Sequence, residues 1–227
     1  PGMLKWSPDG KSLGFIMFVP SETPWNVELP PSPPNAKWVA PPRVVDQLHY
    51  RTDRSGFARG GTRQLFTVPA DGGTLRQVTP STLGVGASYD GIAFGPGNWD
   101  WTPDGKTILF EGMRPAVADT LLHAGVIYSV SAMGGEAKLL TAAPGMWLKP
   151  VVSPDGKLVA YVGHGPTKMT MRTTSLYVMN IDGSNTREIT PSLDRDPAMF
   201  GMGALLWAPD GSGLYFAPDD RGARNVV

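Results

Sequence analysis

The chain has 227 residues, and its 28 glycines and 23 prolines are roughly twice the usual share of these two residue types. Long helices are therefore excluded, whereas the 41% of hydrophobic residues is ample for a buried core. Twenty basic and twenty acidic residues give a formal net charge of zero, which argues against nucleic acid or a membrane as a partner. The absence of cysteine excludes disulfides and thiolate chemistry. We expect a soluble, turn-rich, all-β protein.

One hexapeptide recurs four times along the chain. The copies read WSPDGK at 6–11, WTPDGK at 101–106, VSPDGK at 152–157 and WAPDGS at 207–212. A short run rich in β-branched or aromatic residues follows each copy, at 13–19, 107–110, 158–162 and 214–217. An Asp-Gly pair between two apolar runs predicts a hairpin, because glycine accepts the positive φ that such turns require.

A second hairpin follows three of the four copies. It joins 65–73 to 78–79, 127–135 to 140–141, and 176–183 to 189–190. Each complete unit therefore reads as four antiparallel strands joined by tight turns. Repetition of such units is typical of a β-propeller, in which each unit forms one blade.

The spacing of the copies defines the blades. The interval is roughly 50 residues, as expected for propellers, except that the first interval is about twice as long. A proline-rich insertion at 20–61 accounts for the surplus, and its prolines favour an extended course over the surface. We predict a single partial propeller of about three and a half blades over 1–227. We number the blades 1 (about 1–80), 2 (92–141), 3 (146–190) and 4 (202–218, one hairpin only).

Propellers close with about four to eight blades, so we expect this chain to be part of a larger ring. It opens without a signal-peptide pattern and stops within the fourth unit. Such a piece would leave blade edges uncovered, and we expect it to associate with itself through them.

The repeat resembles a known one. The unit formed by Trp-Ser-Pro-Asp-Gly-Lys, a strand, Leu-Tyr-Val-Met-Asn-Ile-Asp-Gly and Ile-Thr is similar to the TolB-type propeller repeat. This repeat occurs in TolB and in the propellers of prolyl-oligopeptidase-family serine peptidases. The stretch PRVVDQLHYRTDRSGF at 42–57, running on to 64–69, resembles the entry into a blade in acylaminoacyl-peptidase-like and dipeptidyl-peptidase-like members.

The resemblance implies a function. In that family a C-terminal α/β-hydrolase domain holds the Ser, Asp and His triad, and the propeller caps it so that only short peptides enter. We therefore expect this chain to be the gating and substrate-filtering part of such a peptidase. Its expected partners are the hydrolase domain of the same parent protein and short peptides. The compartment stays open between the bacterial periplasm and the cytoplasm, with the periplasm favoured.

Two alternatives belong to other classes of protein. The first is a TolB-like propeller that serves as a protein-interaction scaffold. The second is a propeller enzyme with chemistry in its own channel, which would require converging carboxylates or histidines that the sequence does not display.

The sequence predicts no catalytic residue in this chain. A Gly-x-Ser-x-Gly match at 10–14 lies inside the repeat and lacks the strand-turn-helix context of a nucleophile elbow. Three scattered histidines give neither a triad nor a zinc-site spacing, and the acidic residues at 194–196 and 219–220 lack the pattern of a calcium loop. The histidines are His49, His123 and His164. We expect neither a metal nor a cofactor.

Four charged residues are candidates for substrate contact. They are Arg51, Arg54, Glu111 and Arg114. The first two lie in the insertion, and the other two follow the predicted second strand of blade 2. The resemblance implies that charged loop residues face the cavity shared with the catalytic domain and can hold a peptide terminus. The family's paired-glutamate motif for a free N-terminus is not evident, which argues against dipeptidyl release.

The recurring aspartate and tryptophan of the hexapeptide are expected to be structural. The aspartates recur in every unit and are typical turn residues. The tryptophans precede the turn in three units, and we expect them to pack between blades.

Overall fold

The computed structural model of the chain describes residues 2–21, 30–37, 44–45, 47–52, 56–58, 60–89, 92–94, 97–121, 123–169, 172–197, 205–220 and 223–227. These residues form antiparallel sheets and one four-residue helix, so the predicted all-β fold is confirmed. A membrane-spanning helix is not found in the described part of the chain.

Blade 1 is a four-stranded sheet interrupted by the insertion. Its part of the chain contains β1 (Gly2–Trp6), β2 (Ser12–Pro20), β3 (Arg51–Thr52), β4 (Gly56–Phe57), β5 (Gly61–Pro69) and β6 (Arg76–Gln77). Strands β1, β2, β5 and β6 pair in this order, whereas β3 and β4 form a separate hairpin within the insertion. The insertion thus leaves at the end of β2 and returns at the start of β5 without breaking the sheet.

Blade 2 carries an additional small sheet. Its elements are β7 (Gly84–Val85), β8 (Ala87–Tyr89), β9 (Ile92–Phe94), β10 (Trp99–Trp101), β11 (Thr107–Met113), α1 (Pro115–Ala118), β12 (His123–Ala124), β13 (Val126–Ser131) and β14 (Lys138–Leu139). The order β10-β11-β13-β14 forms the blade, β7 pairs with the end of β11, and β12, β8 and β9 form the additional sheet. Strand β11 runs to Met113, beyond the predicted end at Phe110, because Glu111 and Gly112 continue the pairing with β13.

Blade 3 and the hairpin of blade 4 complete the described strands. They comprise β15 (Met146–Val152), β16 (Leu158–His164), β17 (Ser175–Asn180), β18 (Arg187–Glu188), β19 (Leu205–Trp207), β20 (Leu214–Phe216), β21 (Asp219–Asp220) and β22 (Ala223–Arg224). Blade 3 has the order β15-β16-β17-β18, and β19 pairs with β20. Phe216 on β20 exchanges two backbone hydrogen bonds with Val227, and β21 and β22 form a separate hairpin. We retain 1–80, 92–141, 146–190 and 202–218 as the proposed bounds of the blades.

The hexapeptide forms the turn between the first two strands of each blade. In blade 1 the Asp9 carboxylate accepts hydrogen bonds from Ser7 Oγ at 2.7 Å and from the Lys11 N–H at 3.0 Å. Gly10 occupies the left-handed region at φ 69°, where a side chain would be strained. Blades 2 and 3 repeat these bonds. They hold the pKa of Asp9 below its ordinary value, chiefly through the Ser7 hydroxyl.

Aromatic side chains fill the space between neighbouring blades. Each complete blade stacks one pair of rings from its second and third strands: Phe15 with Phe66, Phe110 with Tyr128, and Tyr161 with Tyr177. Between blades 1 and 2, the Trp99 indole lies against Gly14, and its Nε1–H donates to the Met3 carbonyl at 3.0 Å. A Cβ at Gly14 would overlap the Trp99 ring, so the close approach of these two blades requires glycine.

The repeated tryptophans differ in their surroundings. Trp101 is 7% exposed and belongs to the core cluster that extends through blades 1, 2 and 3. Trp207 donates from Nε1 to the Val151 carbonyl of blade 3 at 3.0 Å. Trp6 is 59% exposed, because no described blade covers its side of blade 1.

The two ends of the blades carry different kinds of connection. Because the strands are antiparallel, both hairpin turns of a blade lie at one end, which we call the turn face; in blade 1 these turns are 7–11 and 70–73. The opposite end, the loop face, carries the longer connections at 21–60, 114–122 and 165–174. Loops held by a rigid scaffold commonly carry functional residues, so a functional site is expected on the loop face.

Candidate functional site

The loop face holds an apolar cleft beside Arg114. The cleft has a volume of about 340 Å³ and lies between the end of β11, helix α1, strands β13 and β14, and the segment 143–145. Its apolar walls include Met113, Val117, Leu121, Val126, Leu139 and Pro144. Arg114 is the one charged residue among the described residues that line it.

The sequence around Arg114 explains its position. Strand β11 ends at Met113, and Pro115 begins helix α1, where its missing N–H costs nothing. A residue before proline is driven towards extended geometry, and Arg114 has φ −83° and ψ 126°. Its side chain is exposed, and it neither caps the helix nor pairs with a carboxylate of the described residues. The guanidinium is therefore available to a ligand.

Asp119 fastens the insertion to helix α1. Its carboxylate accepts hydrogen bonds from the backbone N–H groups of Leu48 at 2.9 Å and His49 at 3.0 Å, and Nδ1 of His49 lies 3.1 Å from Oδ1. These two backbone donors lower the pKa of Asp119, with smaller help from the His49 side chain. Asp119 directly follows the helix that begins after Arg114, so the insertion is held beside the apolar cleft.

The β3–β4 hairpin carries Arg51 onto the same face. Arg51 follows His49 by two residues, and its Cζ lies 5.7 Å from the centre of the Phe57 ring. The Asp119 contact thus holds the segment just before Arg51 beside the helix that follows Arg114; these two arginines are among the four predicted substrate-contact residues. Arg54 lies outside the described residues.

Glu111 lies between blades 2 and 3. It is inside β11, not in the loop after it, and only 2% exposed. Its Oε2 accepts hydrogen bonds from Nδ2 of Asn98 at 3.0 Å and from the backbone N–H of Lys149 at 2.9 Å. This geometry joins the two blades. Glu111 does not line the cleft, and its role in substrate contact stays a prediction.

Burial sets the electrostatics around Glu111. Removal from water raises the pKa of Glu111, although the donors from Lys149 and Asn98 oppose the rise. Burial also lowers the pKa of the Lys149 ammonium, with the Glu111 charge opposing. Lys149 has φ 55°, which aims its backbone at the neighbouring blade in a conformation that few non-glycine residues adopt.

A second charged pair joins the innermost strands. Nζ of Lys5 on β1 lies 2.9 Å from Oδ1 of Asp100 on β10, and Oδ2 of Asp100 accepts from the Val152 N–H on β15 at 3.0 Å. One carboxylate thereby connects three blades. The Lys5 ammonium also lies 5.6 Å from the centre of the Trp99 ring. Sequence reasoning missed this pair, because Lys5 and Asp100 are 95 residues apart.

The Gly-x-Ser-x-Gly match has a structural explanation. Ser12 begins strand β2, and its backbone N–H donates to Ser7 Oγ at 2.9 Å. Gly10 supplies the positive φ of the turn, and Gly14 makes room for Trp99. The two glycines and the serine of the match thus each have a structural role in the blade.

The three histidines lie in two places on the loop side of the blades. His49 contacts Asp119, whereas the buried rings of His123 and His164 lie 4.9 Å apart. Nδ1 of His164 is 2.7 Å from the Gly165 carbonyl, and burial lowers the pKa of His164. Among the described residues, no three histidine, aspartate or glutamate side chains lie together as a metal site would need.

Two parts of this site could not be predicted from the sequence. Asp119 meets an insertion about 70 residues earlier in the chain, and no local pattern announces that contact. The cleft is formed by several separate elements whose apolar residues look like ordinary strand and helix positions. The one available signal was Arg114 before Pro115, which places a charge in extended backbone at the end of a strand.

Comparison with known proteins defines the class first: the chain is a partial β-propeller. An acylaminoacyl peptidase from Pyrococcus horikoshii superimposes with a TM-score of 0.62 over 98% of this chain and 29% of its own, at 17% identity. Puromycin hydrolase superimposes with a TM-score of 0.51 over 78% of this chain and 28% of its own, at 20% identity. The predicted propeller fold is therefore confirmed.

Sequence comparison then narrows the resemblance. Dipeptidyl-peptidase 5 from Trichophyton schoenleinii is 28% identical over 139 residues, which cover 56% of this chain and 18% of that protein. No protein-family model matches the chain. The chain thus corresponds to about a fifth of the length of this relative. These findings confirm the predicted resemblance to the propeller of prolyl-oligopeptidase-family peptidases.

Proposed function

We propose that the chain is the gating and substrate-filtering part of the propeller of a prolyl-oligopeptidase-family serine peptidase that acts on short peptides. Catalysis would come from an α/β-hydrolase domain of the same parent protein. The observation that carries this proposal is the similarity to dipeptidyl-peptidase 5, together with a propeller fold like that of an acylaminoacyl peptidase.

Two features of the chain suit a filter. The insertion is tied down by Asp119, so it can restrict what reaches the apolar cleft beside Arg114. Between the blades, hydrogen bonds of Asp100 and Glu111 hold neighbouring blades in fixed register. A rigid ring that keeps its blades together excludes folded proteins and admits short, extended chains.

The complete parent protein provides the test. Its full reading frame should be cloned and expressed, and the product assayed on dipeptidyl and acyl-aminoacyl chromogenic substrates and on a series of peptides of increasing length. We expect serine-dependent hydrolysis that falls with peptide length. A reading frame that ends in a propeller without a hydrolase domain, or a product that turns over none of these substrates, would overturn the proposal and favour the scaffold alternative.

A matched pair of variants tests filtering separately from catalysis. In the parent protein, Asp119→Ala removes the acceptor for Leu48 and His49 and should raise the relative rate on longer peptides. Asp182→Ala removes a turn carboxylate whose hydrogen bonds go to Ser184 of the same turn, and it should leave the length dependence unchanged. An unchanged length dependence in both variants would argue against the insertion as part of the filter.

A further inference from the structure

The apolar cleft combines two properties that few surface grooves share. Its walls come from several elements and are apolar, yet an exposed guanidinium without a carboxylate partner among the described residues lines it. A volume of about 340 Å³ falls at the lower end of the range for small-ligand sites. The occupant that fits best therefore has an apolar group of side-chain size and one negative charge beside it.

We propose that this cleft binds the C-terminal residue of a short peptide, with the free carboxylate on Arg114 and the apolar side chain between α1 and β14. The inference rests on the proposed function, because it takes a peptide as the ligand. Guanidinium and carboxylate are matched in shape and charge, since the planar group can donate two parallel hydrogen bonds. A leucine-sized side chain gains most of its affinity from burial against apolar walls such as Val117 and Leu139.

The charge selects the end of the peptide. A free N-terminal amine would be repelled by Arg114, and an internal apolar residue carries no charge to pair with it. The cleft therefore distinguishes a C-terminal residue from the rest of a chain.

The neighbouring backbone favours a peptide over a simple carboxylic acid. Strand β14, whose Leu139 lines the cleft, is the outermost strand of blade 2 in the described part of the chain. An outermost strand has N–H and C=O groups on its free edge, and an extended peptide can pair with them. A fatty acid has no backbone with which to do so.

Binding to the 227-residue chain tests the proposal directly. Ligand-observed NMR titrations would compare N-acetyl-Ala-Leu, its C-terminal amide, N-acetyl-Ala-Gly and hexanoate. We expect the amide to bind about fivefold more weakly than the acid, because an exposed ion pair contributes modestly. The glycine peptide should bind at least about tenfold more weakly, since it has no side chain to bury. Hexanoate should also bind more weakly than the leucine peptide.

Variants locate the site. Arg114→Ala should reduce the affinity for the acid to that for the amide, whereas Arg187→Ala, at an exposed strand position of blade 3, should change nothing. Val117→Trp should block the cleft and weaken every ligand; Val117 is 44% exposed, so the fold should tolerate it, and circular dichroism would verify this.

The outcomes are separable. Equal binding of acid and amide, or an unaffected Arg114→Ala variant, would overturn the role of the guanidinium. Hexanoate binding as tightly as the leucine peptide would overturn the peptide assignment in favour of a general carboxylic-acid site, and no measurable binding would overturn the site itself. Hydrolysis is not measured, so these results stand whether or not the parent protein proves to be a peptidase.

Discussion

Replacement of Glu111 by alanine should destabilise the contact between blades 2 and 3. The substitution leaves the Lys149 N–H and the Asn98 amide without the acceptor that they share in the folded chain. A buried donor without a partner costs about 1–3 kcal/mol, but Asn98 is only half-buried and can recruit water. Loss of the buried charge also offsets part of the cost, so we expect a net decrease of about 1–3 kcal/mol in the free energy of unfolding. Urea unfolding at pH 7 would measure it.

Glu111→Gln is the matched control, because it keeps the shape and one acceptor oxygen. We expect it to cost less than about 1.5 kcal/mol. If Glu111→Ala unfolded within about 0.5 kcal/mol of the wild type, or if the glutamine variant were as unstable as the alanine variant, the hydrogen bonds to Glu111 would not hold the blades together.

The raised pKa of Glu111 predicts the pH dependence. At a pH below the ordinary value of 4.5 the carboxyl is protonated in both the folded and the unfolded chain. As the pH rises from there through the higher folded value, the unfolded chain releases its proton first, and stability contributed by Glu111 is lost. The free energy of unfolding of the wild type should therefore fall relative to Glu111→Gln across this window. A difference that stayed constant with pH would contradict the raised pKa.

Four further predictions concern separate parts of the chain. Gly14→Ala should lower stability by about 1–3 kcal/mol in thermal unfolding, because the new methyl group overlaps the Trp99 ring. Asp119→Asn should increase hydrogen exchange in the insertion with little change elsewhere; the same protection should be lost in the wild type as the pH falls through the lowered pKa of Asp119. The isolated chain should hydrolyse neither acyl-aminoacyl nor dipeptidyl chromogenic substrates, and Ser12→Ala should leave that background unchanged. Light scattering should show association at micromolar concentrations that Trp6→Arg reduces, because Trp6 is largely exposed on an apolar blade side.

Each of these has a control or a contrary result. Gly165→Ala introduces a methyl group into open space and should be nearly neutral, so equal losses at both glycines would remove the steric explanation. Unchanged exchange in the asparagine variant would show that Asp119 does not hold the insertion. Substrate turnover that Ser12→Ala abolished would show that Ser12 is a nucleophile. A wild type that is monomeric and unfolds cooperatively would contradict the predicted association.

The fold could be predicted because its signals are local. Within one hexapeptide, Asp9 bonds to Ser7 and Lys11, and Gly10 supplies the positive φ. Because all the interactions that form this turn lie within six residues, the turn can be predicted without knowledge of distant neighbours. The four copies of the hexapeptide therefore predicted four turns, and each turn predicted a pair of antiparallel strands.

The candidate site could be predicted only in part. Arg114 was selected as a charged residue after a strand, and the cleft gives that charge a setting that the sequence did not suggest. Glu111 was selected on the same ground, but β11 continues past it, and the strand alternation turns it towards blade 3 with Leu109. A strand end misjudged by three residues is enough to move a side chain from a loop into an interface between blades.

The repeated tryptophans show why equivalence in sequence does not fix the environment. Trp6, Trp101 and Trp207 hold the same place in their hexapeptides, yet the first is 59% exposed and the second 7% exposed. The hexapeptide tryptophan of a blade faces the blade that precedes it. Its burial therefore depends on a neighbour roughly 50 residues earlier. Turn chemistry therefore repeats faithfully from unit to unit, whereas exposure, and with it the capacity to bind a partner, is decided by which blade stands beside it.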